Sequence, residues 1–212
     1  MTCNSRLATA ALLLGAALPA LADTVLLRDD FSDPRSGWPN QAATRSGDLG
    51  FAVYTDTGGY QLTPVADHAF GFIAAPQQPA NGDSRTEAEL FLYAGLGAGA
   101  GGIACRFKDH GNFYGFLAFG NQRVAIIKVK DGQVTPLAQG SIKSVVPGSV
   151  DTRLTAECRG DRLILSARGG STLQATDADF QTGKTGLMVA GEQAAGTSAS
   201  FDNLALTELS GR

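Results

Sequence analysis

Two glutamates, Glu87 and Glu89, stand two positions apart in a run that reads Glu-Ala-Glu-Leu-Phe. In a β-strand, residues at i and i+2 point to the same face, about 6 to 7 Å apart. Glycosidases cleave sugar linkages with two carboxyl groups about 5 to 9.5 Å apart, so this spacing fits a glycan-active hydrolase. The polar outer side of a half-exposed strand produces the same pattern, and we favour that interpretation.

The same run also predicts a face that could bind a ligand. If Ala88, Leu90 and Leu92 point inward, the glutamates share the outer face with Phe91 and Tyr93, and neighbouring strands could extend it. Aromatic rings beside planar polar groups suit contact with sugar rings, although a sandwich core would also bury aromatic residues. The candidate ligand-binding residues are Glu87, Glu89, Tyr93, Arg106, Tyr114 and Arg123.

Other catalytic signatures are missing from the sequence. It contains no Gly-x-Ser-x-Gly nucleophile motif, and neither His68 nor His110 belongs to a His-Glu-x-x-His zinc motif. Asp29, Asp30 and Asp202 could offer oxygen ligands to calcium if the first and last strands pair, but such residues usually form turns. We therefore predict no catalytic residues, no metal and no cofactor, with a structural calcium ion as the alternative.

Residues 1–22 have the three consecutive regions of a secretory signal peptide: a positively charged start, an apolar core and a cleavage site. Arg6 precedes an apolar run over residues 7–18, and Ala20-Leu21-Ala22 forms a small-x-small cleavage site. The apolar run is shorter than the roughly 18 residues that a membrane-spanning helix needs. We expect a secreted or periplasmic protein with no membrane span, consisting of one domain over residues 23–212.

The charge balance narrows the choice of partners. Lysine and arginine total 17 against 20 acidic residues, for a net charge of −3, and no basic run occurs. A nucleic-acid-binding surface would need a basic patch, so we expect no nucleic-acid partner. The remaining candidate partners are a glycan or another envelope protein.

Removal of the signal peptide would leave two cysteines, Cys105 and Cys158. An even number of cysteines in an oxidising compartment favours a disulfide. Closing this loop would stabilise the domain by about 4 kcal/mol in the chain-entropy description. Two buried free thiols are the alternative.

Short runs with alternating apolar and polar residues lie between glycine-containing turns along the whole mature chain, which is typical of an all-β sandwich or barrel. Ile103, Cys105 and Phe107 form one such apolar face, and Leu154, Ala156 and Cys158 form another. The cysteines would therefore both look into the core. The first run, 24–31, and the last, 200–209, also read as strands that pair.

Five segments resemble, in order, parts of the concanavalin A-like jelly-roll domains, of the laminin-G and legume-lectin type, that occur in exported bacterial proteins. These segments are Asp30 to Trp38, Gly59 to Leu62, Gly102 to Phe116, Ala156 to Gly160, and Phe201 to Leu204. The resemblance implies a two-sheet antiparallel β-sandwich. Laminarinase-type relatives carry Glu-x-Asp-x-x-Glu on one strand, and the sequence around Glu87 lacks the aspartate and the third acid.

These observations predict an exported, non-catalytic binding or interaction module, with carbohydrate as the candidate ligand. The alternatives are a glycan-active hydrolase that uses Glu87 and Glu89, and a purely structural envelope domain.

Overall fold

The computed structural model describes residues 22–40, 49–64, 69–95, 99–143, 146–191 and 196–210. The predicted signal peptide lies outside these ranges except for its last residue, so it and the division at residue 22 stay predictions. The described ranges hold strands and turns but no helix. Consequently, nothing within them forms a helix that could cross a membrane.

Fourteen strands occur in the described ranges. In chain order they are β1 (Thr24–Asp29), β2 (Leu49–Tyr54), β3 (Tyr60–Pro64), β4 (Ala69–Ala74), β5 (Ser84–Tyr93), β6 (Ala100–Asp109), β7 (Asn112–Phe119), β8 (Arg123–Lys130), β9 (Gln133–Ser141), β10 (Ser149–Arg159), β11 (Arg162–Ala167), β12 (Thr172–Thr176), β13 (Lys184–Gly191) and β14 (Ser198–Glu208).

The strands form two antiparallel sheets packed face to face. The eight-stranded sheet has the order β12-β11-β10-β5-β14-β3-β2, with β1 also pairing with β14, and the six-stranded sheet has the order β4-β13-β6-β7-β8-β9. This arrangement confirms the predicted two-sheet antiparallel sandwich of the concanavalin A-like type.

Strand β5 shows why the alternating pattern produces this fold. Ala88, Leu90 and Leu92 are buried against the other sheet, whereas the residues between them are half-buried or exposed. Side chains alternate between the two faces of a strand, so a period of two buries one face and leaves the other in solvent. The predicted orientation of this strand is confirmed.

A disulfide between Cys105 of β6 and Cys158 of β10 links the two sheets, with the Cα atoms 6.7 Å apart. Both cysteines belong to the main apolar core. The disulfide that the cysteine count predicted is therefore present, and it links the two sheets covalently.

A bulge at Arg106 makes one sequence expectation wrong. Arg106 has a φ of 51°, and the register of β6 shifts against both of its neighbours at this point. Bulges turn the following side chain to the other face. Phe107 therefore leaves the face of Cys105 and stacks on Phe72, with ring centroids 3.9 Å apart, in a second apolar cluster that also contains Met188.

The two ends of the chain meet on β14. Strand β14 pairs with β5 along one edge. Along its other edge it pairs first with β3, over residues 199–201, and then with β1, over residues 204–208. The predicted pairing of the terminal strands is confirmed, and the point where β14 changes neighbours lies beside the site described next.

Candidate functional site

An open pocket of about 550 Å³ lies on the outer side of the eight-stranded sheet, where β14 changes its neighbour from β3 to β1. Its volume falls within the range of about 300 to 1,000 Å³ that is usual for small-ligand sites. The lining residues come from β1 and the turn after it, β5, β10 and β14. They are Arg28, Asp29, Asp30, Glu89, Arg153, Asn203 and Leu204.

A β-bulge in β14 creates the opening. The pairing of β14 with β5 shifts register between Asp202 and Ala205, and Asn203 adopts a φ of 48°. Asparagine tolerates this left-handed conformation better than most residues. The bulge exposes the Asn203 side chain, whose Nδ2 lies 3.5 Å from an oxygen of Glu89.

Glu89 and Arg153 face each other directly on β5 and β10. One nitrogen of Arg153 lies 3.9 Å from Glu89, and another donates a hydrogen bond of 3.0 Å to Glu87. All three side chains are about one-third exposed. A single guanidinium therefore orients both carboxylates, while part of each group stays accessible from solvent.

Asp29 supports the pocket from the interior. Its carboxylate accepts hydrogen bonds from Trp38 Nε1 at 2.9 Å, from the Ser36 hydroxyl at 2.6 Å and from the Phe31 backbone N–H at 2.8 Å. Trp38 is buried against the rings of Phe31 and Tyr60. Because these donors occupy both oxygens, Asp29 holds the wall of the pocket in place.

Two exposed groups at the rim complete the polar lining. The hydroxyl and backbone N–H of Ser32 bond to Asp30 and hold the pKa of that carboxyl below its usual range. Arg28 is exposed and forms no ion pair with any described residue. The rim thus offers an ionised acceptor and a cationic donor that is unpaired among the described residues.

The lining combines carboxylate acceptors with guanidinium and amide donors in nearly balanced number. Such groups bind hydroxyls, which donate and accept at once, and planar groups can engage neighbouring hydroxyls in pairs. The opposite charges largely cancel, so the pocket does not select a strongly charged ligand. Its chemistry fits a neutral molecule rich in hydroxyl groups.

A second, smaller cavity of about 230 Å³ adjoins the first, and Glu89 lines both. Phe91 contributes one wall and is 55% exposed, and Tyr93, next on the same face of β5, is 50% exposed. The other lining residues are Gly58, Gly59, Leu90, Asp151, Ser200, Phe201 and Asp202.

The calcium site proposed from Asp29, Asp30 and Asp202 does not form. Asp29 already accepts three hydrogen bonds from protein donors, and Asp202 accepts one from the backbone N–H of Asn203. Across the ranges that the structure describes, no three His, Cys, Asp or Glu side chains cluster in a way that could hold a metal ion.

Three of the six candidate ligand-binding residues share the outer face of β5, namely Glu87, Glu89 and Tyr93. Two others, Arg106 and Tyr114, do not lie on this face, and that part of the prediction is wrong. Arg106 is 1% exposed, because the bulge turns its side chain inward to bond with Asp83 and with backbone carbonyls. Tyr114 is fully buried, and its hydroxyl donates to Asp177 and accepts from the Phe180 backbone.

The sixth residue, Arg123, is exposed but lies on β8 over the ring of Phe119. Strands β6, β7 and β8 belong to the six-stranded sheet, whereas β5 belongs to the other. The single face predicted from these six residues is therefore wrong, because sequence order does not reveal how the strands divide between the sheets.

Sequence reasoning missed Arg28, Arg153 and Asn203 as site residues and considered Asp30 only for calcium. One signal was available. Asp202-Asn203 interrupts a strand with two residues that favour turns, a composition that indicates a bulge, and bulges often lie next to functional sites. Arg153 also occupies a polar position in the alternation of β10.

Comparison with known proteins agrees with this fold. The carbohydrate-binding module CBM66 from Bacillus subtilis is 25% identical, with a TM-score of 0.60 over 79% of this chain and 93% of that one. A Bacillus subtilis protein of unknown function with a galectin-like fold is 13% identical, with a TM-score of 0.64 over 92% of this chain and 100% of that one.

The exoplasmic/lumenal domain of VIP36, solved in a Ca²⁺/Man3GlcNAc-bound form, is 15% identical, with a TM-score of 0.59 over 89% of this chain and 92% of that one. No protein-family model matches the sequence, and no curated protein does.

Proposed function

We propose that the mature domain is an exported, non-catalytic carbohydrate-binding module that holds a sugar in the pocket between Asp30, Glu89, Arg153 and Asn203. The observation that carries this proposal is the meeting of a carboxylate, a guanidinium and an amide at one open pocket. The signal-peptide pattern of residues 1–22 supports export.

The similarity to CBM66 supports the same function. That likeness extends over nearly the full length of the module. VIP36, a more distant neighbour, was solved with a mannose-containing glycan bound. A fold alone does not determine function, so the chemistry of the pocket is the stronger support.

The contacts around Arg153 favour binding over hydrolysis. A glycosidase needs two carboxyl groups that reach the scissile linkage, one as acid and one as base or nucleophile. Here one guanidinium contacts Glu87 and Glu89 together. The two acids therefore form part of an ion-pair network and do not stand free on either side of a cleft.

A binding screen with matched variants tests the proposal. Residues 23–212 would be titrated with ladders of fructo-, manno-, xylo- and gluco-oligosaccharides, with and without calcium. Hydrogen bonds to charged groups contribute about 1.5 to 3 kcal/mol, so Glu89→Gln and Arg153→Met should weaken binding by about 10- to 100-fold. Arg162→Met is the control, because this exposed arginine lies on β11, outside the pocket.

The results separate the function classes. Saccharide binding that depends on Glu89 and Arg153, without release of shorter sugars, supports the proposal. Release of sugars by the wild type that Glu89→Gln abolishes would identify a hydrolase. Absence of binding to every ladder would favour a structural envelope domain.

A further inference from the structure

We infer that the ligand is an oligosaccharide chain of several units, which extends from the pocket along β5 and lies over Phe91 and Tyr93. The inference rests on the proposed function and adds to it the length of the ligand and its path. Its starting point is the sequence of outward side chains on this one strand: Glu87, Glu89, Phe91 and Tyr93.

The two aromatic rings lie outside both apolar core clusters of the sandwich. Phe91 and Tyr93 occupy outward positions, which an antiparallel sandwich normally gives to polar residues. They are 55% and 50% exposed, whereas the core of β5 consists of the inward residues Leu90 and Leu92. Large exposed aromatic groups beside a polar pocket are typical of binding surfaces.

The residues that pair directly with Phe91 and Tyr93 on the neighbouring strands have short side chains. Ser200 on β14 and Asp151 on β10 stand opposite Phe91. Ser198 and Ser149 stand opposite Tyr93 in the same way. Among the described residues, these direct cross-strand partners leave room for a flat ligand above the rings.

The path from the pocket to Phe91 is continuous, and Tyr93 is the next outward residue on the same strand. Glu89 lines the larger pocket and the adjoining cavity, and Phe91 lines that cavity. Outward residues on a strand follow one another at about 6 to 7 Å, which is comparable to the length of one sugar unit. A sugar held by Glu89 and Arg153 would place its next units over Phe91 and then over Tyr93.

The path changes from hydrogen-bonding groups in the pocket to aromatic rings beyond it, and a glycan chain can use both. The pocket offers hydrogen bonds to hydroxyl groups, and the rings offer apolar faces to the C–H faces of the sugars. A single sugar would occupy only the polar end. The aromatic end can contribute only if the ligand has further units.

The test uses ladders from the mono- to the hexasaccharide of each sugar that the module binds. Affinity in the wild type should rise with length by about threefold to tenfold for each ring engaged. Phe91→Ala and Tyr93→Ala should bring the affinity for the longer saccharides down towards that of the monosaccharide. Tyr93→Phe should keep most of the gain, because the ring remains.

Val134→Ala provides the control, since Val134 is similarly exposed but lies on β9 of the other sheet. Binding that depends on Glu89 but is equal for short and long saccharides would overturn this inference and leave the proposed function intact. Unchanged length dependence in both alanine variants would overturn it as well. Failure of all ladders to bind would remove the proposed function and this inference together.

Discussion

The guanidinium of Arg106 lies 2.7 Å from the carboxylate of Asp83 and is sealed from solvent. The same guanidinium donates to the backbone carbonyls of Gly82, Gly160 and Phe180. One side chain of the six-stranded sheet thus holds three loops, one of them at the β10–β11 turn close to Cys158. This buried cation serves the structure and takes no part in the pocket.

Replacement of Arg106 by methionine should strongly destabilise the domain. The change leaves three carbonyls without this donor and leaves the carboxylate of Asp83 with the Gly160 backbone N–H but no cation. Loss of one partner from a buried ion pair costs about 3 to 5 kcal/mol. Urea unfolding measures the free energy directly. Arg123→Met, at an exposed arginine of β8, is the matched control, and equal small effects in both variants would contradict the role described for Arg106.

Removal of the disulfide should lower the free energy of unfolding by a similar amount. Replacing Cys105 and Cys158 by serine together should lower the free energy of unfolding by up to about 4 kcal/mol, because the unfolded chain regains the freedom of the open loop. Urea unfolding of the double variant against the oxidised wild type checks this value. Mass analysis without reductant should also find the wild-type chain two hydrogens lighter than its reduced form, and two freely alkylated thiols would contradict the bridge.

The backbone at Asn203 predicts contrasting effects of two substitutions. Asn203→Gly should change stability by no more than about 0.5 kcal/mol, because glycine adopts a positive φ freely. Asn203→Val should cost about 1 to 2 kcal/mol, since a β-branched residue fits this conformation poorly. Thermal unfolding compares the variants, and similar melting temperatures for both would argue against the bulge.

A charged network between Lys128 of the six-stranded sheet and the loop that follows β12 predicts acid sensitivity. Burial opposes ionisation of Asp177, but hydrogen bonds from Lys128 and Tyr114 outweigh it and lower the pKa of this carboxyl. A group with a depressed folded-state pKa stabilises the fold above its unfolded pKa of about 3.9. That contribution is lost as the pH falls through the folded-state pKa.

Asp177→Asn should therefore be less stable than the wild type at neutral pH, with a difference that shrinks below about pH 4. Urea unfolding at a series of pH values measures this trend. Asp56→Asn, in an exposed turn, should show a much smaller difference at every pH. A wild-type advantage of constant size down to pH 2 would contradict the assignment.

Much of the sandwich could be predicted because its determinants are local. The alternation around Leu90 assigns the inward and outward faces of β5, and glycine-rich turns such as Gly58-Gly59 separate the strands. The pairing of Cys105 with Cys158 follows from their number and from their places on apolar faces. The first two inferences need only neighbouring residues, and the third needs only the cysteine count besides.

The composition of the site could not be predicted in the same way. Its walls come from β1 and β14, almost a chain length apart, and its opening depends on a change of register at Asn203. The inward turn of Arg106 depends on another such shift. The positions of one or two extra residues decide both cases, and an alternating pattern tolerates such residues at several places.

Because the pocket is lined by β1 and β14, it can form only after these two distant strands have paired. While the exported chain folds, β1 has no partner strand until β14 takes its place beside it, and pairings between such distant segments form slowly. A truncated chain that stops before residue 198 would still contain both cysteines and the strands that carry them. It would lack β14 and with it the pocket wall that contains Asn203 and Leu204, so ligand binding at the pocket would require that strand to be in place.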